Sequence, residues 1–201
     1  MVSAAALTKV NRYHPVLYKV WKLWAEITTS AFETGKHDLI NELAAFEALT
    51  GICPTKKDSK LNKMYPLILL SAAAFKLPYE IEKSYLEWIW NYSEGIYYLT
   101  WFNMGICPDI ISKEFPFWLR ALDIISDYSY GRILIKNSVD YIWNLRDKDG
   151  LWDFGANTKS ANYAKAHCGW QLADSWREPS NRKTDCTIRI LLFLKKYSES
   201  G

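Results

Sequence analysis

Several side chains in this sequence are of types and spacings that could do chemistry. Asp123 and Asp127 stand one helical turn apart. That spacing sets two carboxylates side by side, and burial of both would raise the pKa of one. A carboxylate pair is how glycosidases divide acid and base roles, while the plainer reading is a solvated helix face. Asp147, Asp149 and Asp153 could offer oxygens to a cation, but their spacing departs from the Ca²⁺-loop pattern and Lys148 opposes the charge. The four cysteines, at 53, 107, 168 and 186, show no Cys-x-x-Cys spacing. His14 and His37 fall at expected helix starts, where a ring nitrogen can serve as a local cap. No Gly-x-Ser-x-Gly elbow, phosphate loop or dinucleotide fingerprint is present. The 10 Trp and 13 Tyr are an excess whose ring faces could line a cavity and stabilise a cation, or simply fill a core.

Composition narrows the partners. The 25 basic and 22 acidic side chains are interspersed, without a basic run, which argues against nucleic acid. The longest nearly apolar stretch, Met64 to Phe75, is shorter than the roughly 20 residues a bilayer demands, so no transmembrane segment is expected. The N-terminal residues lack the apolar core of a signal peptide, and free thiols in a cytoplasmic protein is the expectation. No cofactor and no metal site is read from the sequence.

The elements that must position these groups are helical. From His14 to Thr29, Val16, Leu17, Val20, Trp21, Trp24 and Ile27 recur at spacings of three and four, with Pro15 suited to a first turn. Asp38 can cap a helix carrying Leu39, Leu43, Phe46 and Leu49, which Gly51 would end in a left-handed conformation. Further helices are expected from about Lys63 to Phe75, after Pro78, from about Glu114, from about Arg132 to Leu145, and from Asp185 to Tyr197. Residues 147–184 form the longest irregular stretch, and so long a loop is usually functional.

Two phrases are repeated. Ile-Trp-Asn occurs at 89–91 and 142–144, a shift of 53, and Gly-Ile-Cys-Pro at 51–54 and 105–108, a shift of 54. Two unrelated phrases with one period indicate helical units that bury their apolar faces by stacking. Both Gly-Ile-Cys-Pro copies are expected to stop a preceding segment.

The run Arg146-Asp147-Lys148-Asp149-Gly150-Leu151-Trp152 resembles the Gln-x-x-Asp-Gly-x-Trp repeat of squalene and hopene cyclases and of protein prenyltransferases. Asp149, Gly150 and Trp152 match, and Arg146 stands in place of Gln. The resemblance covers roughly the last 120 residues, most clearly the last repeat, and implies an all-α fold of stacked helical hairpins, a partial or small α/α toroid, with residues 1–201 as a single helical-repeat domain and Trp152 clamping a helix end at the rim. Hopene-type cyclases protonate their substrate with the central Asp of Asp-x-Asp-Asp-Thr; the corresponding run here is Lys183-Thr184-Asp185-Cys186-Thr187, with Lys183 and Cys186 in place of acids. By that resemblance Asp185 is the candidate catalytic acid, although a lysine beside it would favour the ionised form; the structural alternative is a helix cap. The zinc ligands of prenyltransferases do not carry over, because His167 and Cys168 lie upstream of Asp185 and Cys186. The implied function is a small terpenoid-cyclase-like protein with an aromatic cavity for an isoprenoid or other hydrophobic ligand, cyclising it after protonation. The alternative is a non-catalytic repeat module binding a lipid, peptide or partner protein. Peripheral membrane contact and homo-oligomerisation, which would cover open helix faces, stay open.

Overall fold

The computed structural model describes residues 2–54, 58–155 and 176–199. Among them are nine helices: α1 (Val2–Val10), α2 (Pro15–Ala31), α3 (Leu39–Thr50), α4 (Met64–Ser71), α5 (Tyr79–Asn91), α6 (Phe115–Ile125), α7 (Ser129–Leu134), α8 (Lys136–Asn144) and α9 (Pro179–Glu199). Extended pairing among the described residues is confined to an isolated bridge between Lys63 and Tyr97, so the fold is all-α. None of these helices is long and apolar enough to cross a membrane.

Local chemistry explains the ends of α2 and α3. In α2, His14 Nδ1 accepts the Val16 N–H and Pro15 sits at the first turn. Asp38 caps α3 by accepting from Ile40 and Asn41, and Gly51 ends it at φ +68. The second Gly-Ile-Cys-Pro follows an aromatic segment, not a helix. No helix leads into Gly105, which follows the long connection from α5; Trp118 closes that connection by donating its Nε1–H to Met104 O at 3.0 Å. The expected helix through 132–145 is two helices, α7 and α8, because the backbone leaves the helical conformation for a turn at Ile135 (φ −88, ψ 2). The last helix starts at Pro179, well before Asp185.

Packing is built around α2 and α6. One face of α2 buries Leu17, Trp21, Trp24 and Ile27 against α3 and α4. Nearly every residue of α6 is buried, including Phe115, Phe117, Trp118, Leu122 and Ile125, which marks it as the central helix. One contiguous core runs from Ala5 in α1 to Leu194 in α9. In both Ile-Trp-Asn copies the phrase closes a helix, with Ile89 and Ile142 facing the core.

α9 is fastened to α6 electrostatically. Lys196 Nζ lies 3.0 Å from Asp123 Oδ1 and 2.9 Å from Asp127 Oδ1, and it also donates to Asp123 O at 2.6 Å. Arg120 pairs with Asp123 from within α6. The two carboxylates one turn apart therefore share a lysine from another helix.

Candidate functional site

The site is assembled where the segment after α8 meets one face of α9. Asp147 organises the turn: its Oδ1 accepts the N–H groups of Asp149 at 2.9 Å and Leu151 at 3.0 Å, and Gly150 takes φ +78. Lys183 of α9 reaches Asp147 Oδ2 at 2.7 Å. That ammonium, helped by the backbone donors, holds the Asp147 carboxyl at a pKa of about 2. The Asp149 side chain is exposed.

Trp152 enters the core directly after this turn. Its Nε1–H donates to Ile142 O at 2.7 Å, its backbone N–H donates to Thr187 Oγ1 at 3.1 Å, and its ring packs 5.9 Å from Trp143. Trp143 in turn carries Arg146, the residue standing in place of Gln, with the guanidinium 4.6 Å from the ring centroid. The two helices and the turn are thereby tied through one indole.

Arg182 joins the two sides of the site. Its Nε and Nη2 form a two-pronged pair with Asp153 at 2.6 and 2.9 Å, and its Nη1 donates to Trp176 O at 3.1 Å. The arginine side chain is almost wholly buried while Asp153 retains some exposure. Burial opposes ionisation of Asp153, yet the guanidinium and the Gly155 N–H hold its carboxyl below the usual range.

Asp185 is buried one turn further along α9. Its Oδ2 accepts the Trp176 Nε1–H at 2.5 Å. It lies inside α9 rather than at its start, so the expected helix-cap role is corrected: the first-turn N–H groups belong to residues after Pro179. The expected pairing with Lys183 is corrected as well. Residues two apart point to different sides of a helix, and Lys183 turns outward to Asp147. Cys186, on the buried side, has its thiol pushed up to about 12 by desolvation.

In front of this wall lies a cavity of about 300 Å³ between α6 and α9. Pro116, Leu119, Phe154, Leu192 and Phe193 make it apolar, and Arg120, Arg189 and Lys196 outnumber Asp123 among its polar lining. Trp176 touches both Asp185 and two residues of the cavity wall: Phe154 meets the indole edge-on at 6.3 Å, and the Arg189 guanidinium lies 5.4 Å from its ring centroid. Of the sequence-selected residues, Asp185 and Trp152 are thus brought to neighbouring parts of one layer, while Asp149 stands apart in solvent.

Arg182, Asp153 and Asp147 were not singled out by sequence as a framework, although Asp147 before a Gly-containing turn and Arg182 on the Asp185 face were available signals. A second unanticipated cluster lies at α3. Glu42 is fully buried and accepts from His37 Nε2 at 2.6 Å, Ser59 Oγ at 2.8 Å, and the N–H groups of Lys60 and Leu61. His37 is therefore a partner of this carboxylate, stacked on Trp88 at 4.1 Å, instead of a helix cap. Among the described residues, no group of three or more His, Cys, Asp or Glu side chains is placed to hold a metal ion. His167 and Cys168 lie outside the described residues.

Neither a protein-family model, nor a curated protein, nor a solved structure matches this chain. The class defined by fold and site is therefore an all-α protein with an apolar, cation-rimmed cavity between its central and last helices.

Proposed function

We propose that this chain is a helical-repeat binding module, related in design to the terpenoid-cyclase repeats it resembles, that holds a hydrophobic ligand with an anionic head, such as a prenyl diphosphate, in the α6–α9 cavity. The cavity itself carries this reading. Five apolar residues line it, and Arg120, Arg189 and Lys196, set against the carboxylates of Asp123 and Asp127 that Arg120 and Lys196 bind, leave one positive charge in excess, which suits a hydrocarbon tail joined to phosphate. Leu192 at the mouth is 52% exposed, an apolar surface that a ligand tail would cover. No membrane-crossing helix is needed for such a role, and it is compatible with a cytoplasmic protein.

A second reading, protonation-initiated cyclisation by Asp185, is favoured by one observation: the Trp176 indole that Asp185 accepts from also contacts two cavity-lining residues. The candidate acid and the cavity wall then share one ring as a contact. One experiment tests both readings. The purified chain is incubated with farnesyl diphosphate, geranylgeranyl diphosphate and squalene, binding is followed calorimetrically, and products are analysed by mass spectrometry. The module reading expects binding of a diphosphate without conversion. Cyclised product lost in Asp185→Asn would establish the second reading, and absence of both binding and product would overturn both.

A further inference from the structure

We propose that the connection between α5 and α6 carries a separate binding site for a neutral oligosaccharide, built on Tyr97, Tyr98 and Trp101. These side chains are 52%, 58% and 44% exposed, and they border a cavity of about 320 Å³ that reaches Asn62 and Glu94 and has Phe117 in its wall. Large aromatic rings gathered around one cavity in water mark a surface meant to be covered.

The backbone is organised to keep them there. The Tyr97 N–H donates to Asn62 O at 2.9 Å, and its own carbonyl accepts from Met64 at 3.1 Å. In an extended chain the next side chain would point the opposite way. Tyr98 instead takes φ +70, the one non-glycine residue with positive φ among those described, and its ring comes to 4.1 Å from that of Tyr97. The turn is locked behind it: Ile96 O accepts from Leu99 and Thr100, and Thr100 Oγ1 accepts the Ile96 N–H, each at 2.8 Å. Gly95, at φ +72, packs so closely that a Cβ would sit 2.7 Å from Phe102 N. A backbone held in a sparsely populated conformation by so many bonds points to a function for the rings it displays. The repeat sharpens the contrast. Tyr97 follows Gly95 as Trp152 follows Gly150, but Trp152 is buried as a helix tie, whereas the Tyr97 ring is left in solvent.

Charge selects the class of ligand. Lys63 lies 4.9 Å from the Tyr97 ring centroid and Lys113 5.6 Å from that of Trp101. A cationic ligand seeking these ring faces would meet like charge. An anion gains little, since Asp58 pairs with Lys63, Glu114 pairs with Lys113, and Glu94 adds a carboxylate to the cavity. A neutral ligand with flat C–H faces and hydroxyl donors fits both constraints, and a pyranose ring has that form. Glu94 is an acceptor for its hydroxyls. Asn62 forms part of the same wall.

The test is calorimetric titration of the full chain with cellohexaose, xylohexaose, mannohexaose and chitohexaose. At least one should bind. Tyr98→Gly is the decisive variant, because glycine adopts positive φ freely and only the ring is lost. Binding should weaken roughly tenfold or more in Tyr98→Gly and in Trp101→Ala. The unfolding temperature of Tyr98→Gly should stay close to that of the parent, and Leu192→Asp in the α6–α9 cavity should leave sugar binding unchanged. Failure of all four probes at millimolar concentration, or equal binding by Tyr98→Gly and the parent, overturns the proposal.

Discussion

Replacing Arg182 by Ala should be among the most damaging changes in this protein outside the central helix. The guanidinium makes three hydrogen bonds, two to Asp153 and one to Trp176 O, from a side chain that is 8% exposed. Breaking a fully buried ion pair by removing one partner costs roughly 3–5 kcal/mol. Asp153 is 25% exposed and can regain some water, which brings the expectation down to about 2–3 kcal/mol. For a chain of this size that corresponds to a fall of roughly 4–12 °C in Tm. Urea unfolding followed by circular dichroism, on Arg182→Ala, Asp153→Asn and the double variant, measures both the cost and the coupling. The pair should couple by about 1–3 kcal/mol, so that the double variant is much less destabilised than the sum of the singles. A cost for Arg182→Ala under about 0.5 kcal/mol, the level of an ordinary surface change, would refute the view that this residue holds the layer together.

Three further outcomes are expected. Trp152→Phe keeps most of the ring but loses the bond to Ile142 O; because that carbonyl also accepts from Leu145, the cost should be about 1 kcal/mol, against about 3–5 kcal/mol for Trp152→Ala, as read by urea titration. The Asp147 carboxyl has a folded pKa of about 2, depressed from its ordinary 3.8, so its contribution is fully present above about pH 4 and is lost as pH falls toward 2; acid unfolding curves should show this loss, and Lys183→Met should diminish it. Buried Cys186, its thiol pushed up to about 12, should resist iodoacetamide at pH 8 in the native protein and react only in urea, whereas the exposed Cys53 and Cys107 label first by peptide mapping.

Sequence periodicity located the elements that are amphipathic and capped. α2 and α3 lie close to where Trp21, Trp24, Asp38 and Gly51 put them, because their signals are local. α9 begins earlier than its apolar periodicity predicts, since its first turns carry Arg182 and Lys183, whose partners are Asp153 and Asp147, far off in the chain. The same distance hid the framework around Asp185: Lys183 is its neighbour in sequence but not in contact across the helix face. The second Gly-Ile-Cys-Pro follows a non-helical aromatic segment, because an identical tetrapeptide ends a helix only where a helix precedes it. Glu42 illustrates the remaining gap. It shares the inward face of α3 with Leu39, Leu43 and Phe46, and the folding back of residues 59–61, together with His37, makes it the buried centre of four donors. Asp123 and Asp127 were visible as a pair, while the lysine that binds them both comes from the far end of the chain.

The proposed function is tested most directly by calorimetric titration of farnesyl diphosphate into the parent chain and into Leu192→Asp, which sets a carboxylate at the exposed cavity mouth without disturbing the core. The α6–α9 assignment predicts saturable binding to the parent and at least tenfold weaker binding to the variant at unchanged Tm. No binding to the parent, or equal binding to both, would contradict it.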